Sequence, residues 1–447
     1  MAAAQDPSPA PAPAAVVGKG RAGGRGFTLL WTSQAFSEFA YSTSLIVLPL
    51  LVLAITGSPS RAGIIGFVDA AAMLLAGLPA GAVADRYDRR SVMLWCEAAL
   101  VAVFGGLALL LWAGEVSLLA LVALALVNGA ATAMMMAAGE AMIPSLVPPA
   151  KLSQAVAMNS ARTYAGQLAG TSAGGFLLAL RNAFPFVAGC AAHLAALVLL
   201  LFMPRQPPAA GEPVAADGEP VRADGAVAAA PGSGRGELLE GIRWIGRHPF
   251  LRLALGYATA TNLFFGAIYF IVIASAQSSG MNAGLIGLMA GLLGVGGLLG
   301  ALAAPLLMRV LPGPRPIHAV LWLFALLTVG IAVLPGGYTP GILLGAIAFA
   351  APTASACFQT YLLMLTPDSH RGRAISVAGI CSGAGGAIAP LGGGVLLDLA
   401  GRTAGLLGCA AVMVAIALSA VLSPVMRKAP GPEHAPVSDA PREKTPA

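Results

Sequence analysis

Seven ionisable side chains stand inside stretches of this chain that are otherwise apolar: Glu38, Asp69, Glu97, Glu140, Arg162, His193 and Asp398. An ionisable group surrounded by lipid is costly, and it normally faces a wet cavity or a partner. A carboxyl group taken out of water holds its proton more tightly, and a guanidinium nearby opposes that tendency. Such residues could therefore take up and release a proton, with Glu38 carrying it and Asp69 or Arg162 tuning it. Glu38 falls roughly eleven residues into its apolar stretch, near the middle of a bilayer for a helix rising about 1.5 Å per residue. Glu140 and Asp398 lie near the ends of theirs, where snorkelling or capping fits better. Glu97 is close to Arg89 and Arg90 and fits a charge cluster at the membrane face, and His193, among alanines and leucines, fits a packing role. Gln34, Tyr41, Asn128, Asn262 and Gln359 are polar groups available to a substrate or to hydrogen bonds between helices.

These residues need elements that span a membrane. The chain is 57% hydrophobic and 10% charged, with a mean hydropathy of +0.82, whereas a soluble protein carries about 25% charged residues. A membrane helix needs roughly 20 mainly apolar residues. About twelve such spans are expected, near 27–54, 61–83, 91–113, 117–141, 153–180 and 183–203, then 250–277, 282–307, 317–334, 341–365, 373–398 and 403–425. That order predicts an all-α integral membrane protein. Residues 1–26 form a disordered tail, 27–203 a six-helix bundle, 204–249 a polar linker, 250–426 a second six-helix bundle and 427–447 a second tail. In the linker, Leu238, Leu239, Ile242 and Ile245 share one helix face and Arg243 and Arg247 another, the pattern of a helix lying on a membrane surface. The five cysteines lie in apolar stretches without metal-type spacing and read as small hydrophobic side chains.

Basic residues set the orientation. With the N-terminus inside and twelve crossings, all of the 25 lysines and arginines fall on the inner side except Arg61, Arg181, Arg402 and the intramembrane Arg162. Both tails are then cytoplasmic. The net charge of +6 is accounted for by this bias, and no nucleic-acid partner is expected.

Two patterns recur. GQLAGTSAGG at 166–175 and GGAIAPLGGG at 385–394 stand 219 positions apart, about half the chain. Gly166, Gly170, Gly174 and Gly175 thus align with Gly385, Ala389, Gly393 and Gly394, and Thr171 aligns with Pro390. Transporters built from internal repeats leave this mark. The loop GAVADRYDRR at 81–90 places Asp85 where the second span meets the cytoplasm, followed by Arg86, Arg89 and Arg90. Gly81 there would let helices approach closely, and the carboxylate and guanidinium groups could pair and be broken by rocking. At the same offset Gly300 and Arg309 repeat Gly81 and Arg90, while Ala304 stands for Asp85.

The loop resembles the signature G-x-x-x-D-R-x-G-R-R/K of the major facilitator superfamily, with Asp88 in place of a glycine. The glycine run at 166–175 resembles the span-5 motif of its proton-coupled exporters, with Thr171 in place of the proline. The exporters' basic motif in span 4 has no counterpart, because 117–141 contains no Lys or Arg. LPAGAVADRYDRRSVML, MIPSLVPPAKLSQAVAMNSA, ELLEGIRWIGRHPFLR and RGRAISVAGI are similar to the enterobactin-exporter and macrolide-efflux branch. The resemblance implies a secondary transporter of the cell membrane. It would export a small amphipathic molecule by alternating access, monomeric, without cofactor, and driven by an ion gradient, expected to be of protons. Gly81, Asp85, Arg86, Arg89 and Arg90 would act as a conformational latch and not as a binding site. An importer or uniporter on the same fold is the alternative, since fold does not fix direction; a transporter-like sensor without flux is another. An enzyme is not expected: G-x-S-x-G, Walker-type and His/Glu metal motifs are missing from the sequence.

Overall fold

The structure is a computed structural model, and it describes residues 22–115, 117–148, 151–204, 235–334 and 336–427. The expected tails, apart from 22–26 and Arg427, and the linker from 205 to 234 lie outside the described residues. Every element found is helical, as hydrocarbon requires of backbone groups that water cannot reach. The first half comprises α1 (Ala22–Thr56), α2 (Pro59–Arg86), α3 (Arg89–Trp112), α4 (Leu118–Leu146), α5 (Leu152–Leu180) and α6 (Phe184–Leu201). The linker helix α7 (Arg235–Arg247) leads into the second half. That half holds α8 (Pro249–Ser278), α9 (Ala283–Val310), α10 (Arg315–Val333), α11 (Thr339–Leu365), α12 (Asp368–Leu422) and the short α13 (Pro424–Arg427). α1 starts five residues earlier than the sequence pattern predicts.

Local chemistry sets the boundaries. Ser58 caps α2 by accepting from Arg61 N–H, Asp88 caps α3 by accepting from Ser91 N–H at 3.0 Å, and Asn282 caps α9 through Gly284 N–H at 2.8 Å. Asp88, which departs from the loop signature, thus holds the start of α3. α12 runs 55 residues, far longer than a bilayer is thick. It is broken at Gly401, where φ is +73°, a conformation that glycine adopts without steric cost. Ten helices among the described residues are long and apolar enough to cross a membrane. α5, which carries Gln154, Asn159, Arg162 and Gln167, is not among them, and α12 counts once.

The two halves repeat one packing plan. In the first, α1 packs on α5 and α2 on α4; in the second, α8 packs on α12 and α9 on α11. The halves meet through two crossed pairs, α2 with α12 and α5 with α9. Their close approaches fall on residues 59–74 of α2 against 383–398 of α12, and on 164–175 of α5 against 283–297 of α9. At the other end of α2 the situation is reversed: a Cβ on Gly81 would meet nothing within 4 Å. Gly81 therefore does not serve the close packing expected of it in this state. The bundle is sealed toward the end marked by Gly57, where the close approaches fall. It is parted toward the end marked by the 85–90 loop, where a cavity of about 650 Å³ lies between Ser160 and Tyr164 of α5 and Ala304 and Met308 of α9.

Candidate functional site: a charged cavity between paired halves

Glu38 and Arg162 come together. α1 and α5 pack closely because Gly166, Gly170 and Gly174 turn a side without side chains toward α1. A Cβ would stand 3.0 Å from Glu38 Cβ at the first, 2.7 Å from Ser42 Cβ at the second and 3.1 Å from Thr43 Cγ2 at the third. That approach leaves Arg162 Nη1 3.7 Å from Glu38 Oε2, with the two side chains 9% and 18% exposed. Arg162 Nη1 also donates to Gln34 O at 2.8 Å, and its Nε donates to Asn159 Oδ1 at 3.1 Å. Ser42 Oγ donates to Glu38 Oε1 at 3.4 Å. The pair lines a cavity of about 260 Å³ inside the first half, together with Gln34, Tyr41, Glu140 and His193.

Asp69 is not part of that pair. It is buried on α2, where Asn128 Nδ2 donates to its Oδ1 at 2.8 Å and to Ser44 Oγ at 3.1 Å. Asp69 lines a separate cavity of about 230 Å³ between the halves, with Tyr41, Gln167, Phe265, Tyr269 and Pro390. Tyr41 borders both cavities. Asn128 is wholly buried behind Asp69, so its amide serves a hydrogen bond between helices and does not reach a cavity. Asn262 and Gln359 lie in the second half, on a larger cavity of about 420 Å³ walled by Tyr257, Phe265, Phe324 and Phe358. The ionisable residues thus line the cavities of the first half and its boundary, and aromatic and small apolar residues wall that of the second.

Glu97 is placed differently from the sequence reading, whereas His193 is the buried packing residue expected. Glu97 is wholly buried eight positions into α3, about 12 Å along the helix at 1.5 Å per residue, too deep for a cluster with Arg89 and Arg90. His193 Nδ1 lies 2.8 Å from Glu97 Oε2, and Ser37 Oγ donates to Glu97 Oε1. His193 is held further by Phe104, whose ring meets it edge-on at 4.9 Å. This buried network ties α1, α3 and α6 together behind the Glu38 cavity. Sequence reasoning missed it because residues 96 positions apart declare no pairing; their common mid-span depth was the only available signal. Glu97→Leu is expected to lower stability by about 1–3 kcal/mol through the imidazole and hydroxyl left unsatisfied. Glu97→Leu combined with His193→Leu recovers most of that loss, and thermal unfolding of the three variants in detergent checks it.

The latch residues lie at the parted end. Asp85 Oδ1 is 3.6 Å from Arg89 Nη2, and Asp85 is half-exposed. Arg89 also donates to Ala84 O and Ala141 O, and Arg90 donates to Leu200 O and Leu201 O, both at 2.8 Å. Both arginines thereby bind carbonyls at helix ends within their own half. Arg86 is exposed.

The glycine runs have two faces, and both runs use them alike. Gly385 and Gly393 meet α8, with Cβ positions 2.6 Å from Thr259 O and 2.7 Å from Ala267 O, as Gly166 and Gly174 meet α1. Gly175 and Gly394 point across the boundary. A Cβ on Gly175 would stand 2.6 Å from Gly287 Cα of α9, and one on Gly394 3.0 Å from Pro59 C of α2. Pro390 presses on α2 at Gly66. Thr171, its counterpart, donates to Gln167 O at 2.6 Å and stays within α5. Asp398 accepts from Ser60 N–H at 2.9 Å and from the Ser60 hydroxyl, so its capping is of the opposite half.

Paired helical halves, sealed at one end and parted at the other around cavities with buried charges, define a membrane transporter. Residues 30–364 match the family model of the Major Facilitator Superfamily, and the chain belongs to that family. It is 28% identical over 403 residues to the multidrug efflux pump Tap of Mycolicibacterium fortuitum, covering 86% of this chain and 92% of that protein. It is likewise 28% identical over 403 residues to the enterobactin exporter EntS of Salmonella choleraesuis (strain SC-B67), covering 88% and 91%. Among solved structures, the nucleoside transporter NupG superposes with a TM-score of 0.69 at 11% identity, over 90% of this chain and 100% of that one. A D-xylose-proton symporter superposes at 0.62 with 15% identity, over 88% and 96%. The protein is a multi-pass membrane transporter of the inner or plasma membrane.

Proposed function

We propose that this transporter is a proton-coupled exporter of a small amphipathic molecule, working by alternating access. Twelve crossings, made of the ten apolar helices, α5 and the second arm of α12 beyond Gly401, put both termini on one side, and the bias of the basic residues makes that side the cytoplasm. The parted end at 85–90 is then the cytoplasmic side, and the molecule stands ready to load from within. The observation that carries the reading is the Glu38–Arg162 pair on a cavity wall. Protonation of Glu38 removes the charge that Arg162 answers, and Arg162 keeps Gln34 O and Asn159 as partners, so the pair can part without stranding the guanidinium. Apolar and aromatic walls in the second half and charged groups in the first suit a molecule with one greasy and one polar end. The efflux names of both relatives favour outward movement. Asp85, Arg89 and Arg90 form the latch, and no cofactor takes part.

An importer on the same fold is the second reading, favoured by the symporter among the structural neighbours. Inside-out vesicles equilibrated with a panel of amphipathic dyes on both sides separate the two. An imposed gradient, acidic in the lumen, should drive dye into vesicles that contain the protein. Movement only in the opposite sense establishes import.

A further inference from the structure

The linker helix α7 presents two unlike faces. Gly241 packs on α12, where a Cβ would stand 2.9 Å from Arg373 O, and Ile245 is buried. Leu239 and Ile242, three positions apart, are 54% and 49% exposed. α7 lies against the starts of α8 and α12, the level at which apolar spans give way to polar chain. An exposed apolar pair at that level beside arginines is what an interfacial helix offers to the boundary of acyl chains and head groups.

Beside this pair a cavity of about 330 Å³ is lined by Glu240, Arg243, Trp244, Arg247 and His370. Its one carboxylate is already engaged: Glu240 receives Arg373 Nη1 at 2.8 Å and lies 3.1 Å from His370 Nε2. Arg243 and Arg247, one turn apart and both exposed, have no carboxylate partner among the described residues. Trp244 is fixed between His248 and His370, with ring centroids 4.3 and 4.8 Å away. Two guanidinium groups therefore open onto a single cavity whose acid is neutralised, and the indole that lines it carries a buried Nε1–H without an acceptor among the described residues. Guanidinium forks match phosphate oxygens in pairs.

We propose that this corner between α7 and α12 binds the phosphate of an anionic phospholipid, whose acyl chains run along Leu239 and Ile242. The inference rests on neither the direction of transport nor its coupling. The test is lipid binding to the full-length protein in detergent, followed by native mass spectrometry with phosphatidylglycerol, phosphatidylcholine, and sn-glycerol 3-phosphate as the chain-free anion. Phosphatidylglycerol should bind roughly 30-fold more tightly than phosphatidylcholine, the effect of two arginines near an anionic head group. Arg243→Gln with Arg247→Gln should remove most of that preference, and Leu239→Ser with Ile242→Ser should weaken both lipids alike. Undiminished phosphatidylglycerol preference in the arginine double variant overturns the proposal. So does sn-glycerol 3-phosphate binding as tightly as the lipid, which would make the corner a site for free phosphate esters.

Discussion

Glu38→Gln is expected to abolish transport driven by a pH gradient while leaving a folded protein that still exchanges substrate across the membrane. The amide keeps the volume of the carboxyl group and its contact with Ser42 but cannot gain or lose a proton at working pH. Arg162 retains Gln34 O and Asn159 Oδ1, so the change does not leave a bare charge in the protein. Because the change removes a proton carrier and leaves the guanidinium its other partners, the loss falls on gradient-driven transport and not on folding. Two measurements on proteoliposomes are needed. Uptake driven by a pH jump should fall to background, and substrate counterflow at equal pH should persist. Pumping that still follows the pH gradient in the variant would remove Glu38 from the coupling step. Loss of both activities would make the pair with Arg162 a structural one.

The second large effect concerns the seal. Gly175→Leu, and separately Gly394→Leu, should prevent the end marked by Gly57 from closing. Neither position has room for even a Cβ: the nearest backbone atoms across the boundary stand under about 3 Å away, belong to the opposite half, and cannot rotate aside. Overpacking of this kind costs about 1–3 kcal/mol or more. Because the boundary must open in every cycle, that cost falls on one conformation and shifts the population by about tenfold for each 1.4 kcal/mol. Transport should drop about tenfold or more. In a background without native cysteines, a cysteine placed at Ser60 should react faster with a membrane-impermeant thiol reagent applied from the sealed side. Gly81→Ala makes the contrast, since its Cβ meets nothing in this state; labelling at Ser60 should not rise. Wild-type transport by both leucine variants would show that the close approach between halves is dispensable.

The scaffold was legible because lipid imposes a simple grammar. Runs of about 20 apolar residues, polar breaks and glycine spacing are one-dimensional signals, so the helices emerged close to their expected positions. Boundaries slipped where local chemistry decides them. α1 begins earlier than the hydropathy does, whereas the break in α12 at Gly401 falls in the expected gap between 373–398 and 403–425. Intramembrane charges were legible as candidates, for the same energetic reason that makes them rare. Their partners were not. Asp69 meets Asn128 and Glu97 meets His193, and those pairings depend on how helices rotate about their axes, which charge and spacing leave open.

By itself the sequence determined the helical architecture, the internal duplication and the loop that marks the family, because each is written along a single helix or at its end. Which glycines touch their own half and which face the other, which carboxylate meets Arg162, and which end of the bundle is sealed were decided only by the tertiary structure. Those are distances between helices far apart in the chain, and they arise from interlocking surfaces that no single segment encodes.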